Sequence, residues 1–500
     1  MGEVVQKNKW AVLCTVLVMT FMGCLDSSIV NVALPVMSRE LGVDMSEIQW
    51  VASIYLVVNC ASILLFGRLG DLIGKVRVFQ AGVLLFTVGS LLCALSTTLP
   101  VLIGARVIQS LGAAASLATN PGIITEAFPA SERGKSLGMV ASFVALGTLA
   151  GPVLGGVIVG ATSWEFIFVI NVPVGIVAFL VGLRTLPDDR PAAAITPASG
   201  DAPLPDTPAP RTSISCLQRL DIPGAVLMAA ALVLVFCALT LLEHEGTPLA
   251  WGMLVSGIVL LVAFVLYERH VAEPLVRLSV FRNVLLDVNL VMMLIVFIVF
   301  GSNNMVLPFY LQDSRAFSVT LAGLIMAAYP IVNFFVGPLS GSLSDRVGCE
   351  GIVMAGLLIF GVGTVVVSTF DGSTPIPLIV AGLMVMSLGS SSFQSPNNAL
   401  IMSSAPRDAL GFVGSLGALV RSLGMSLGIV LSTSLLYDRM SVQAGYRVTS
   451  YVEGHAEFFL YGFRWVYLVL AVLVAVAFAL AVWRFVSSRR VRARRHRTAR

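Results

Sequence analysis

The chain has 500 residues; 57% are hydrophobic, 12% are charged, and the formal net charge is +4. Soluble globular domains are about one quarter charged, so this composition excludes a soluble globular protein. It predicts an all-α polytopic membrane protein.

In chain order, apolar runs fall near 10–34, 48–67, 77–97, 100–125, 136–160 and 165–184. Two more follow at 222–243 and 251–267, then six at 287–311, 319–341, 350–369, 376–401, 411–436 and 463–485. Each is near the roughly 20 residues a helix needs to cross a bilayer. Fourteen transmembrane helices are therefore predicted. The first contains LDSSIVNVALP, Leu25–Pro35, in which Asp26 sits among apolar neighbours and Pro35 is expected to end the helix. A carboxylate at bilayer depth costs several kcal/mol unless it is paired, solvated or protonated. Asp26 is the first candidate for handling a proton or cation.

Residues 186–221 are rich in Pro and Ala and read as a disordered cytoplasmic linker. This divides the chain into a six-helix block (1–185), the linker, two inserted helices (222–286), a second six-helix block (287–485) and a basic tail (486–500). Tyr437–Gly462 reads as a polar outer loop before the last span. Lys7, Lys9, Lys75 and Lys135 all fall on one side of this topology. So do the eight arginines from Arg484 to Arg500. By the positive-inside rule both termini are cytoplasmic, and the tail is expected to touch anionic lipid rather than nucleic acid. Cys14, Cys24, Cys60, Cys93 and Cys237 lie in apolar runs, and Cys216 and Cys349 in cytoplasmic loops, so no disulfide framework is expected. No cleavable signal peptide is expected either.

The chain also repeats itself. GRLGDLIG at Gly67–Gly74 and GSLSDRVG at Gly341–Gly348 share G-x-L-x-D-x-x-G, with Asp71 and Asp345 at the same offset. Both follow the second helix of their block. Glycine allows the tight turn, and the aspartate can face the positive end of a neighbouring helix. The loop is either a folding element or a latch between halves.

LDSSIVNVALP, IQWVASIYLV (Ile48–Val57), GRLGDLIGKVRV (Gly67–Val78), RVIQSLGAA (Arg106–Ala114), GTLAGPVLGG (Gly147–Gly156), WEFIFVINVPVG (Trp164–Gly175) and RSLGMSLG (Arg421–Gly428) together resemble the major facilitator superfamily. Within it they resemble the fourteen-helix drug:proton antiporters. Leu72 and Glu165 stand where that family commonly has arginine. The resemblance implies a major facilitator fold of two six-helix blocks plus two inserted helices. It also implies Gly67, Asp71, Gly74, Lys75, Arg77 and Asp345 as a conformational loop motif, and Gly147, Gly151, Pro152, Gly155 and Gly156 as an antiporter-associated fifth-helix motif. In physical terms those four glycines permit close helix packing, and Pro152 introduces a bend.

Arg106 and Arg421 are the arginines placed well inside the spans. Counted along their helices at 1.5 Å per residue, Asp26 and Arg106 agree in depth within roughly 5 Å. By analogy with the fold they pair. The pair is either a proton-coupling element, with the guanidinium favouring the ionised carboxyl and burial opposing it, or a permanent structural ion pair. Polar side chains inside apolar spans nominate a substrate cavity: Asn31, Tyr55, Asn59, Gln109, Asn120, Asn303, Asn304, Asn333, Gln394, Asn397, Asn398 and Arg421. Amides there serve equally as interhelical glue.

GMSLG at Gly424–Gly428 matches a nucleophile-elbow pattern but lies inside a span. His244, His270, His455 and His496 fall in loops or the tail, and no Walker A pattern occurs. The expectation is a transporter rather than an enzyme, without cofactor or metal, driven by the proton gradient. It would export amphipathic, lipophilic, cationic small molecules from the plasma membrane as a monomer, with protons and membrane lipids as its other partners. A lipid or lipid-linked cargo and a non-transporting scaffold are the alternatives.

Overall fold

The computed structural model describes residues 2–187, 221–244, 248–271, 280–281, 283–404, 410–448, 450–452 and 454–498. Nearly all of the proposed linker (186–221) lies outside the described residues. The first block comprises α1 (Gly2–Leu41), α2 (Met45–Ile73), α3 (Lys75–Ala94), α4 (Leu99–Ala127), α5 (Ala130–Ala161), α6 (Phe166–Val169) and α7 (Asn171–Thr185). A hairpin of α8 (Ile222–His244) and α9 (Pro248–Glu268) follows. The rest is α10 (Val284–Phe309), α11 (Val319–Met326), α12 (Ala328–Val347), α13 (Cys349–Ser368), α14 (Ile376–Ser404), α15 (Leu410–Ala444) and α16 (Ala456–Thr498). A π-helical turn, Tyr310–Ser314, closes α10. Among the described residues, eleven helices are long and apolar enough to cross a membrane.

Three boundaries differ from the sequence reading. Pro35 does not end α1, which continues to Leu41. Bilayer-depth helices accept proline because neighbouring groups re-satisfy the freed carbonyl, and α1 is enclosed on several sides. The outer loop before the last helix is shorter than Tyr437–Gly462, because α15 runs to Ala444 and α16 starts at Ala456. The basic tail is also not separate from the last span; α16 continues through it to Thr498.

The repeat seen in the loops extends through the helices. Gly112 on α4 meets the backbone of Phe86 and Gly82 on α3; Gly389 on α14 meets the backbone of Phe360 and Gly356 on α13. Ser110 donates to the carbonyl of Tyr55, and Ser387 to that of Tyr329. The spacing that separates Asp71 from Asp345 also separates Tyr55 from Tyr329 and Phe86 from Phe360. Any side chain at these glycines would strike main chain, so close α3–α4 and α13–α14 packing is written into each half. In α15, Gly424 and Gly428 pack against α10, as Gly147 and Gly151 of α5 pack against α1. The formal hydrolase pattern is therefore a helix-packing surface.

Candidate functional site

Asp26, fully buried in the middle of α1, is held by two other helices of its block, α4 and α7. Arg106 Nη1 of α4 donates to Oδ2 at 2.6 Å, and the two side chains are 1% and 0% exposed. Gln109 Nε2 of α4 and Asn171 Nδ2 of α7 each donate to Oδ1 at 2.8 Å. Arg106 Nη1 also reaches Gln109 Oε1 at 2.7 Å, and its Nε donates to the Val51 carbonyl of α2 at 3.0 Å. Its guanidinium lies 4.4 Å from the Tyr55 ring centre and 5.6 Å from that of Phe168. Gln109 is braced by Ser90 Oγ of α3 at 2.8 Å.

Local sequence explains the arrangement. Arg106 and Gln109 are three residues apart on one helix, so they share a face. α7 begins at Asn171, directly after the short α6 turn, which aims the Asn171 side chain back into the block. Each hydrogen-bonding neighbour of the carboxylate presents a donor to it. Breaking a buried pair of this kind by removing one partner costs about 3–5 kcal/mol.

A proton on Asp26 would change that balance. A protonated carboxyl oxygen becomes a donor and faces groups that are themselves donors. At least one partner must then turn away. The Asn171 Oδ1, buried without a hydrogen-bond partner, is an acceptor that the same amide can present by rotation.

The fifth-helix motif connects this helix to the other block. Gly147, Gly151 and Gly155 face Phe21, Ser28 and Ile29 of α1, whereas Gly156 faces Val319 and Gly323 of α11. Ser28 Oγ donates to the Gly147 carbonyl at 3.3 Å, and Thr320 Oγ1 to the Gly156 carbonyl at 2.9 Å. Pro152 lies within an uninterrupted α5, its carbonyl against Gly323. At the C-terminal end of α1, Gln312 Nε2 donates to the Val32 carbonyl at 2.9 Å, and Arg39 pairs with Asp313 at 3.0 Å. These contacts close the blocks against each other on that side, next to a cavity of about 500 Å³ that Arg39 and Asp313 help to line.

In the loop motif, Gly67 lies near Ala118 of α4, and Gly74 has φ 116° and joins α2 to α3. Lys75 pairs with Glu126 at 2.6 Å, and Arg77 is exposed. The side chains of Asp71 and Asp345 lie outside the described residues.

Of the nominated cavity residues, Tyr55 and Gln109 belong to the Asp26 cluster. Several others make hydrogen bonds within the protein. Asn31 donates to the Ser27 carbonyl at 3.2 Å, Asn120 to Thr20 Oγ1 at 3.0 Å and Asn397 to the Asn289 carbonyl at 3.2 Å. Asn303 accepts from the Tyr467 hydroxyl at 2.8 Å. Asn59 is buried, Asn304, Asn333, Gln394 and Arg421 are half-buried, and Asn398 is exposed. Sequence reasoning missed Asn171 and Ser90; the only signal for Asn171 was its place in the VINVPVG stretch. Asp26 is also not the single acid within the helices, since Asp287, Asp313 and Glu350 lie in them too. Arg484, buried in α16, donates to Glu350 at 3.1 Å.

A central carboxylate–guanidinium pair in a twice-repeated helical block directs comparison to membrane transporters. Residues 16–429 and 289–500 match the profile of the Major Facilitator Superfamily. The chain belongs to that superfamily. It is 32% identical over 435 residues to the riboflavin transporter RibZ of Clostridioides difficile, covering 87% of this chain and 90% of that protein. It is 28% identical to the tetracenomycin C resistance and export protein of Streptomyces glaucescens, over 86% of this chain and 76% of the relative. It is 27% identical to the multidrug export protein EmrB of Haemophilus influenzae, over 85% and 79%. A solved structure from a study of substrate recognition in proton-dependent oligopeptide transporters superposes with TM-score 0.67 at 15% identity, over 96% of this chain and 99% of that one. This superfamily member is a transporter, not an enzyme.

Proposed function

We propose that the protein is a proton-coupled exporter of amphipathic small molecules, working by alternating access between its two blocks. The observation that carries this reading is Asp26, fully buried and held by Arg106, Gln109 and Asn171. Protonation converts that carboxyl from acceptor to donor and forces its partners to rearrange. Because α1 packs through Gly147, Gly151 and Gly155 onto α5, and α5 through Gly156 onto α11, a change at Asp26 bears directly on the inter-block contact. The export proteins among the relatives support the direction of transport.

The subfamily reading is part of the same proposal. Three shorter apolar helical stretches, Glu47–Ile63, Leu146–Ala161 and Pro223–Ala238, added to the eleven long helices support fourteen crossings. In this arrangement both termini are cytoplasmic, the molecule is a monomer in the plasma membrane, and the α8–α9 hairpin stands between two six-helix blocks. The loop motif latches the halves, and the half-buried amides Asn304, Asn333 and Gln394 border the cargo path.

The test is proton release on adding lipophilic amphiphiles to the purified protein and to Asp26→Asn over a pH series. Release from the native protein that vanishes in Asp26→Asn is expected. Undiminished release, or undiminished pH-driven export by Asp26→Asn in vesicles, overturns the coupling assignment.

A further inference from the structure

Arg421 is the counterpoint to Arg106. It lies in α15, well within the span Leu416–Ala444, with its side chain half-buried. Every other interior arginine described above has an acid: Arg106 has Asp26, and Arg484 has Glu350. Arg421 has neither a hydrogen bond nor an ion pair among the described residues. An arginine at this depth is costly to keep without a counter-charge. Such a cation persists where something other than the protein supplies its counter-charge.

Its position says what that is. The glycines at 424 and 428 hold α15 on α10, and the Cys60 thiol of α2 reaches the Leu419 carbonyl at 3.9 Å. Arg421 is thus on a helix fixed to both blocks. Tyr55, five residues before Cys60 on α2, has its ring against the Arg106 guanidinium, and its buried hydroxyl has no hydrogen-bond partner among the described residues. The helix that carries the Asp26 cluster's tyrosine therefore also meets α15 beside Arg421. Arg421 and Tyr55 both offer donors.

We infer that Arg421 receives an anionic, acceptor-rich group of the cargo, such as a carboxylate, so that the cargo is an amphipathic acid or zwitterion. This rests on the transporter reading above, and it replaces the cationic cargo expected from the sequence. Arg106 neutralises Asp26 and Arg421 neutralises the cargo, so proton and cargo do not compete at one atom. Their exchange passes through α2, whose Val51 carbonyl takes Arg106 and whose Cys60 thiol reaches Leu419 beside Arg421.

The experiment uses the full chain in lipid nanodiscs and two probes, an amphipathic rhodamine with a free carboxylate and the methyl ester of the same dye. The native protein should bind the carboxylate form about ten- to a hundredfold more tightly, the effect of one charge-assisted contact in a desolvated site. Arg421→Gln should erase that preference and Arg421→Lys should keep part of it. Size-exclusion profiles and thermal midpoints identify any variant that has failed to fold, in which case the native protein's preference between the two dyes carries the test. Equal or tighter binding of the ester, binding of neither dye, or a preference that survives in Arg421→Gln overturns the inference. Proton release in the native protein and in Asp26→Asn, measured on the same discs, separates the two proposals. If release depends on Asp26 while the carboxylate preference is absent, only the cargo inference falls. If the preference depends on Arg421 while release does not depend on Asp26, only the proton assignment falls.

Discussion

The two blocks share one skeleton and fill it with opposite chemistry. In both, a serine ties one helix to a tyrosine carbonyl, Ser110 to Tyr55 and Ser387 to Tyr329. In both, glycines bring the neighbouring helix onto that same element. Between these fixed points the first block carries Asp26, Arg106 and Gln109. At the matching places the second block has Val299, Leu383 and Met386, all fully buried. The Tyr329 ring packs 5.6 Å from Phe300, and its hydroxyl is satisfied by Ser390 at 2.6 Å; the Tyr55 ring sits under a cation, and its hydroxyl is left without a partner. The duplicated packing sets the shape, and the unduplicated polar residues set the chemistry. One half is a greasy support, and the other holds the titratable centre.

This contrast can be broken from either side. The largest effect belongs to Arg106→Ala, which leaves Asp26 buried among fewer donors. It should cost about 3–5 kcal/mol, seen as a lower thermal midpoint in detergent, whereas Leu383→Ala at the matching place should lose about 2–5 kcal/mol through a cavity alone and show no pH dependence of that loss. Next comes charging the apolar half. Val299→Asp should lower the yield of folded protein by about 2.5–3.5 kcal/mol equivalent, the cost of a charge at bilayer depth. Combining it with Leu383→Arg should recover part of that loss if the skeletons are truly equivalent. A double variant no better than the sum of its parts would deny the equivalence. The smallest effect is Asn171→Ala, which removes one of the two Oδ1 donors. It should cost about 1 kcal/mol in thermal stability and slow proton-driven transport, while leaving the second block untouched.

Much of the site was readable before any coordinates. Asp26 was conspicuous because a charge in an apolar run is expensive, and Arg106 because so few cations share its depth. Asn171 and Ser90 were not distinguishable from other polar residues in spans, since an amide or hydroxyl carries no charge to mark it. The same ambiguity runs through the nominated cavity, where Asn120, Asn303 and Asn397 make hydrogen bonds within the protein. Arg421 was visible in the sequence as a buried cation. That it has no hydrogen bond or ion pair among the described residues was decided by how α15 packs on α10 and α2.

By itself, the sequence determined the membrane setting, the places of the helical runs, the repeat and Asp26 as an acid that had to be neutralised. These follow from local composition and spacing, because hydrocarbon selects apolar runs about 20 residues long. The tertiary structure alone decided which donors surround Asp26, that α1 passes through Pro35, and that α5 divides its glycines between α1 and α11. Those outcomes depend on side chains brought together from helices more than a hundred residues apart, as Asn171 is from Asp26. Spacing along a single helix carries no information about them.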